Sequence, residues 1–134
     1  MIKNRTAKFL TLLVLALAFS SFMKKTKSYT YIDGNNNVYT IRQDSIFYTP
    51  IKPQESSSGI YNGGEPAKIK ITAEQFAKIE AIIKAIQKDK KNWCDKREMG
   101  YGTVVIGKKS IFLNTSSKSK SALEEQLNLL LWGI

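Results

Sequence analysis

The densest set of side chains able to do chemistry in this chain is Asp33-Gly34-Asn35-Asn36-Asn37. Asp33, Asn35 and Asn37 have the one, three, five spacing of a calcium loop, with a Tyr39 carbonyl at position seven and Asp44 at position twelve. Val38, however, stands where such a loop turns on glycine, and position twelve lacks the bidentate glutamate. The flanking residues are of β type rather than helical. The segment therefore reads as an Asn-rich hairpin turn, and no metal or other cofactor is expected.

Nucleophiles are present without their usual helpers. Ser56, Ser57 and Ser58 precede Gly59, but no G-x-S-x-G elbow exists and the chain has no histidine. Ser117-Lys118-Ser119-Lys120 satisfies a bare S-x-x-K, with neither S-D-N nor K-T-G to accompany it. Cys94 is the only cysteine, so it forms no intramolecular bridge. Lys90, Lys91, Lys96 and Arg97 could stabilise its thiolate, yet no imidazole stands ready as a base. Gly100 and Gly102 begin a phosphate-loop pattern that fails at Val105. Asp33, Asp44, Glu55 and Glu65 lie in or near loops and keep a small carboxylate-dependent hydrolase open, although sequence spacing fixes no distance between them.

A binding surface fits these residues better than an active site, with a purely structural loop packed across the sheet as the rival use of the same stretch. Thr49 to Pro66 is far longer than the few residues that join most elements, and such loops are functional or disordered. Ile60 and Tyr61 are expensive to leave exposed and are expected to hold the loop down, while Asn62-Gly63-Gly64 reverses the chain. Glu55, Ser56, Ser57, Ser58, Tyr61, Asn62, Gly63, Gly64 and Glu65 form the candidate partner site, with Tyr61 as its fixed aromatic and the serines adapting around it. Trp93, in the charged connection Lys88 to Met99, is expected to pack at the core or a helix end, and is otherwise a further candidate contact.

The elements that must position these groups follow from periodicity. From Ile69 to Asp89 the chain passes from a short strand, Lys68 to Ile71, into an amphipathic helix. Thr72 and Gln75 make a capping box there, and Phe76, Ile79, Ile82, Ile83 and Ile86 form the apolar stripe. Tyr29 to Ile32 and Val38 to Ile41 alternate as a hairpin, and Ser45 to Thr49 is a third strand. Thr103 to Ile106 and Ser110 to Leu113 make a second hairpin about Gly107-Lys108-Lys109. Ser121 with Glu124 suggests a second capping box, before a stripe of Leu123, Leu127, Leu130 and Leu131. The expected fold is α+β: a small twisted, mainly antiparallel sheet with two helices packed on one face. A seam between two copies along the last helix is the rival use of its leucines.

Residues 1–23 have a basic start, an apolar run from Phe9 to about Phe19 and small residues around Ala18-Phe19-Ser20. That layout predicts a signal peptide or signal anchor, followed by one globular domain over 24–134 with a short tether. Export to the periplasm or medium is expected, with membrane anchoring by an uncleaved leader as the alternative. Six of the 21 basic residues flank that run, leaving 15 against 11 acidic ones, too small an excess to point to nucleic acid. The expectation is an exported noncatalytic protein-binding module of inhibitor or immunity type. An envelope-associated structural module is the alternative.

Overall fold

Residues 26–134 are described by the structure, a computed structural model. The β-branched and aromatic residues of β1 (Ser28–Ile32) and β2 (Val38–Arg42) pair antiparallel, with Tyr31 opposite Tyr39 and Tyr29 opposite Ile41. β3 (Ser45–Thr49) extends the meander, placing Tyr48 beside Tyr39 and Ile46 beside Ile41. β4 (Ala67–Lys70) completes it. It begins and ends one residue before the predicted strand, although the Ile71 N–H still donates to the Asp44 carbonyl at 2.9 Å. Helix α1 (Ala73–Lys88) then carries the chain away, and β5 (Gly102–Ile106) returns on the free side of β1, with Val104 opposite Tyr31. β6 (Lys109–Leu113) closes the order β4-β3-β2-β1-β5-β6, and α2 (Lys118–Trp132) ends the fold.

Both helices lie on one face of this sheet, which makes the molecule a small α+β fold with a mainly antiparallel six-stranded sheet. Period-two alternation sends Tyr29, Tyr31, Ile41, Ile46, Val104 and Ile111 toward the helices, where all are buried. Phe76, Ile79, Ile83 and Ile86 of α1 meet Leu123 and Leu127 of α2 above them. The Thr72–Gln75 box forms as expected: the Thr72 hydroxyl accepts from the Gln75 N–H at 3.2 Å, and the Gln75 side chain accepts from the Thr72 N–H at 2.8 Å.

The start of α2 differs from the expectation. Its N-cap is Ser117, whose hydroxyl accepts from the Lys120 N–H at 3.2 Å, so the helix begins one turn before Ser121. Ser121 instead donates its hydroxyl to the Ser117 carbonyl at 3.3 Å. Two serines four residues apart offer equivalent caps, and the earlier one wins because Asn114 and Ser116 already turn the chain there.

The localisation expected from the sequence is corrected. Among the described residues no helix is long and apolar enough to cross a membrane, so no anchor segment is found there. The leader expected over 1–23 lies outside the described residues.

Candidate functional site

The turn from Asp33 to Asn37 and the long loop after β3 meet at one end of the sheet, around the Asn37 side chain. Asn37 is only 3% exposed, and both ends of its amide are engaged. Nδ2 donates to Asp33 Oδ2 at 2.9 Å and to the Tyr61 hydroxyl at 3.0 Å, while Oδ1 accepts the Ile51 N–H at 3.0 Å. Asp33 in turn shapes the hairpin turn, since its Oδ1 accepts from the Asn35 and Asn37 N–H groups, each at 2.9 Å. Asp33 and Asn37, two of the residues that mimic a calcium loop in sequence, thus spend their polar side-chain atoms on the turn itself and on the neighbouring loop.

That loop is held along most of its path. Ile51 is buried, and the Gly63 N–H returns to the Ile51 carbonyl at 3.2 Å. The Tyr48 hydroxyl donates to the Gly63 carbonyl at 2.6 Å. Gly63 is required by this approach, because a Cβ there would run into the Asn37 amide oxygen and the Pro50 ring. Of the two residues expected to pin the loop, Tyr61 does so through Asn37. Ile60 is instead 84% exposed, and Ile51 takes the apolar role.

The serines are also less free than their composition implies. Ser56 donates its hydroxyl to the Pro53 carbonyl at 2.8 Å, and the Ser58 hydroxyl accepts from the Ile60 and Tyr61 N–H groups, each at 3.3 Å. Ser57 has no such bond among the described residues. Asn62 Oδ1 accepts the Gly64 N–H at 3.0 Å, and Glu55 Oε2 accepts the Lys52 N–H at 3.1 Å. Gly64 and Glu65 are exposed. Short polar side chains close local turns of this kind, which is why a serine run reads as mobile in sequence yet becomes ordered in the fold.

Two hollows flank Tyr61. One, of about 600 Å³, lies between Ser56-Ser57-Ser58 and the segment Arg97 to Gly100. Arg97 reaches across to the Asn36 side chain, and Gly100 packs so closely on Gly34 that a side chain on Gly34 would strike its carbonyl. The other, of about 450 Å³, lies under Tyr39 and Tyr48 and is walled by Lys120, Glu124 and Asn128 of α2. Arg97, Lys120, Glu124 and Asn128 escape sequence reasoning because they come from remote segments. The i,i+4 spacing of the last three, on one side of α2, was the available signal.

The tyrosines at and behind the second hollow are held in their neutral form. Burial, and then the hydrogen bond to Glu124 at 2.5 Å, hold the Tyr31 hydroxyl far above its ordinary range. Burial and then the Asp33 charge raise Tyr39, and burial pushes Tyr48 up to about 12, with Tyr61 and Asp33 contributing less. Neutral tyrosyl hydroxyls result. Glu124 also pairs with Lys120 at 3.0 Å.

The remaining candidates disperse. Asp33 and Asp44 sit at opposite ends of β2, about 17 Å or more apart by the rise of a strand. The S-x-x-K match is the cap of α2, with Lys120 turned to Glu124. Cys94 is half-buried, its N–H bonded to the Phe112 carbonyl. Trp93 is not brought to the loop: its indole N–H donates to the Ile86 carbonyl at 2.7 Å, and Lys109 lies 4.2 Å over the ring. It covers the C-terminal end of α1. No family model matches the chain, and no curated protein or solved structure matches it either.

Proposed function

We propose that this chain is a noncatalytic protein-binding module of the inhibitor or immunity type, and that the Glu55 to Glu65 loop with the hollow beside it receives the partner. The observation that carries this reading is the contrast within the loop. Its backbone is fixed from beneath by Asn37, Ile51 and Tyr48, yet Ile60 is left 84% exposed, with Met99 93% exposed on the segment that forms the opposite wall. A fixed loop presenting an apolar side chain loses little conformational entropy on binding, which is how a small interface becomes tight. Ile60 and Met99 would supply apolar contact, Ser57 and Arg97 the polar rim.

The test separates contact from folding. Tyr61→Ala would conflate the two, because the Tyr61 hydroxyl is a partner of the buried Asn37 amide. Ile60→Asp and Ser57→Arg touch outward groups only. Partner capture with the full chain, followed by affinity and unfolding measurements on both variants, should show a loss of about fivefold or more in affinity with Ile60→Asp at unchanged stability. Full affinity in both folded variants overturns the assignment.

A further inference from the structure

The two edges of the sheet end differently. Beside β6 the backbone of Cys94 forms a bridge, its N–H donating to the Phe112 carbonyl at 2.9 Å. Beside β4 no backbone partner stands among the described residues. The Ile71 N–H bonds inward, toward the β3 side, and antiparallel ladders alternate, so the backbone N–H and C=O groups of Lys68 and Lys70 face outward.

Chemistry differs on the two sides of this edge. Lys68 and Lys70 are exposed on the sheet face away from the helices, with Arg42 two strands in. The Arg42 guanidinium and the Lys68 ammonium lie over the Phe47 ring, each 4.9 Å from its centre. None of the three cations has an ion pair among the described residues, and no described strand carries a carboxylate. On the helix side the last turn of α2 reaches β4, and the Trp132 ring stands edge-on to Tyr48 at 5.4 Å. Trp132 remains 46% exposed there and Ile134 84% exposed.

We infer that the β4 edge accepts an extended segment of a partner protein in which acidic and apolar residues alternate, added as a seventh strand. The outward backbone groups of Lys68 and Lys70 supply the ladder. Side chains of the added strand alternate between faces, so one set meets Lys68 and Lys70, with Arg42 adding to the positive field behind them, while the other meets Trp132 and Ile134. Lysines on an edge commonly keep sheets from joining. Here they also set the sign of what can join: β4 of a second copy brings lysine against lysine, whereas an acidic strand is attracted. This surface is separate from the Ile60 loop, and neither reading depends on the other.

A synthetic peptide of alternating glutamate and valine is the probe, a lysine–valine peptide the control, and the full chain the target. In the free chain the Lys68 and Lys70 amides should exchange rapidly with solvent. The glutamate–valine peptide should protect both, the control neither, and Ile60→Asp should leave the protection intact. Lys68→Glu with Lys70→Glu should weaken binding about tenfold or more. Should that double variant not fold, the exchange measurement on the unaltered chain still decides. Peptide bound without protection at Lys68 and Lys70, or no binding at millimolar peptide, overturns the inference. Protection that grows with protein concentration alone also overturns it, by assigning the edge to a second copy.

Discussion

Replacing Asn37 with alanine deletes three hydrogen bonds together and strands the Ile51 N–H, whose acceptor is the buried Asn37 Oδ1. The three losses are unequal. A buried donor left without a partner costs about 1–3 kcal/mol, whereas Asp33 and the Tyr61 hydroxyl are partly exposed and can turn to water, so each of those bonds is worth about 0.5–1 kcal/mol. The expected destabilisation is therefore about 2–5 kcal/mol, a large share of the 5–15 kcal/mol typical of a domain. Urea unfolding measures it, with Asn35→Ala as the exposed neighbour expected to change stability by less than about 0.5 kcal/mol. Amide exchange gives the local signature: Ile51 and Gly63 should lose protection before the sheet does, because the Gly63 N–H depends on the same strap. Gly63→Ala should reproduce that pattern from the other side, by pushing Asn37 away. A loss under about 1 kcal/mol in Asn37→Ala, with Ile51 still protected, would refute the claim that this amide organises the loop.

Alkaline pH should unfold the protein through its tyrosines. Burial, followed by the hydrogen bond to Glu80 at 2.7 Å, pushes Tyr29 up to about 12 from an ordinary 10.0, and Tyr48 reaches a similar value. Because the folded values are raised, their contribution is whole below pH 10 and is lost as pH rises toward and through about 12. Stability measured across that window should fall while tyrosinate absorbance lags until the chain opens; early ionisation without loss of structure would contradict the burial. Trp93→Phe keeps an aromatic ring under Lys109 but removes the donor to the Ile86 carbonyl, and should cost about 1–2 kcal/mol in urea unfolding. Partner affinity should stay unchanged, since the ring covers the end of α1.

The scaffold was legible where side-chain period and cap chemistry agree. Thr72 and Gln75 make the reciprocal bonds their spacing promised, and Tyr29, Tyr31, Tyr39 and Ile41 face one side of the sheet as their alternation required. Legibility failed where one local pattern served two structures. Ser117 and Ser121 are interchangeable as caps until the turn at Asn114 chooses between them. At Asp33, Asn35 and Asn37 the hairpin turn was legible, because Val38 and the β-type flanks argue against an ion loop, but only the arrival of Ile51 and Tyr61 gives the Asn37 amide its role. Ile60 was expected to fold inward on hydrophobicity alone, but the turn closed by Ser58 directs it outward while Ile51 fills the space beneath. Lys120 and Glu124 belong to the site through contacts with strands far earlier in the chain, which no local window contains.

The strand order has a consequence for how the chain can fold. β1 is central in space but first in sequence among the described strands; its partner on one side arrives within a few residues, and its partner on the other, β5, about seventy residues later. During synthesis the four-stranded meander can assemble while the far side of β1 stays an unpaired edge carrying Tyr29 and Tyr31, both destined for the core. Closing that gap requires α1 to carry the chain across the sheet first, so the β1–β5 pairing adds the long-range contacts that slow folding. Until then the exposed edge is the place where a nascent or refolding chain is most open to pairing with another molecule.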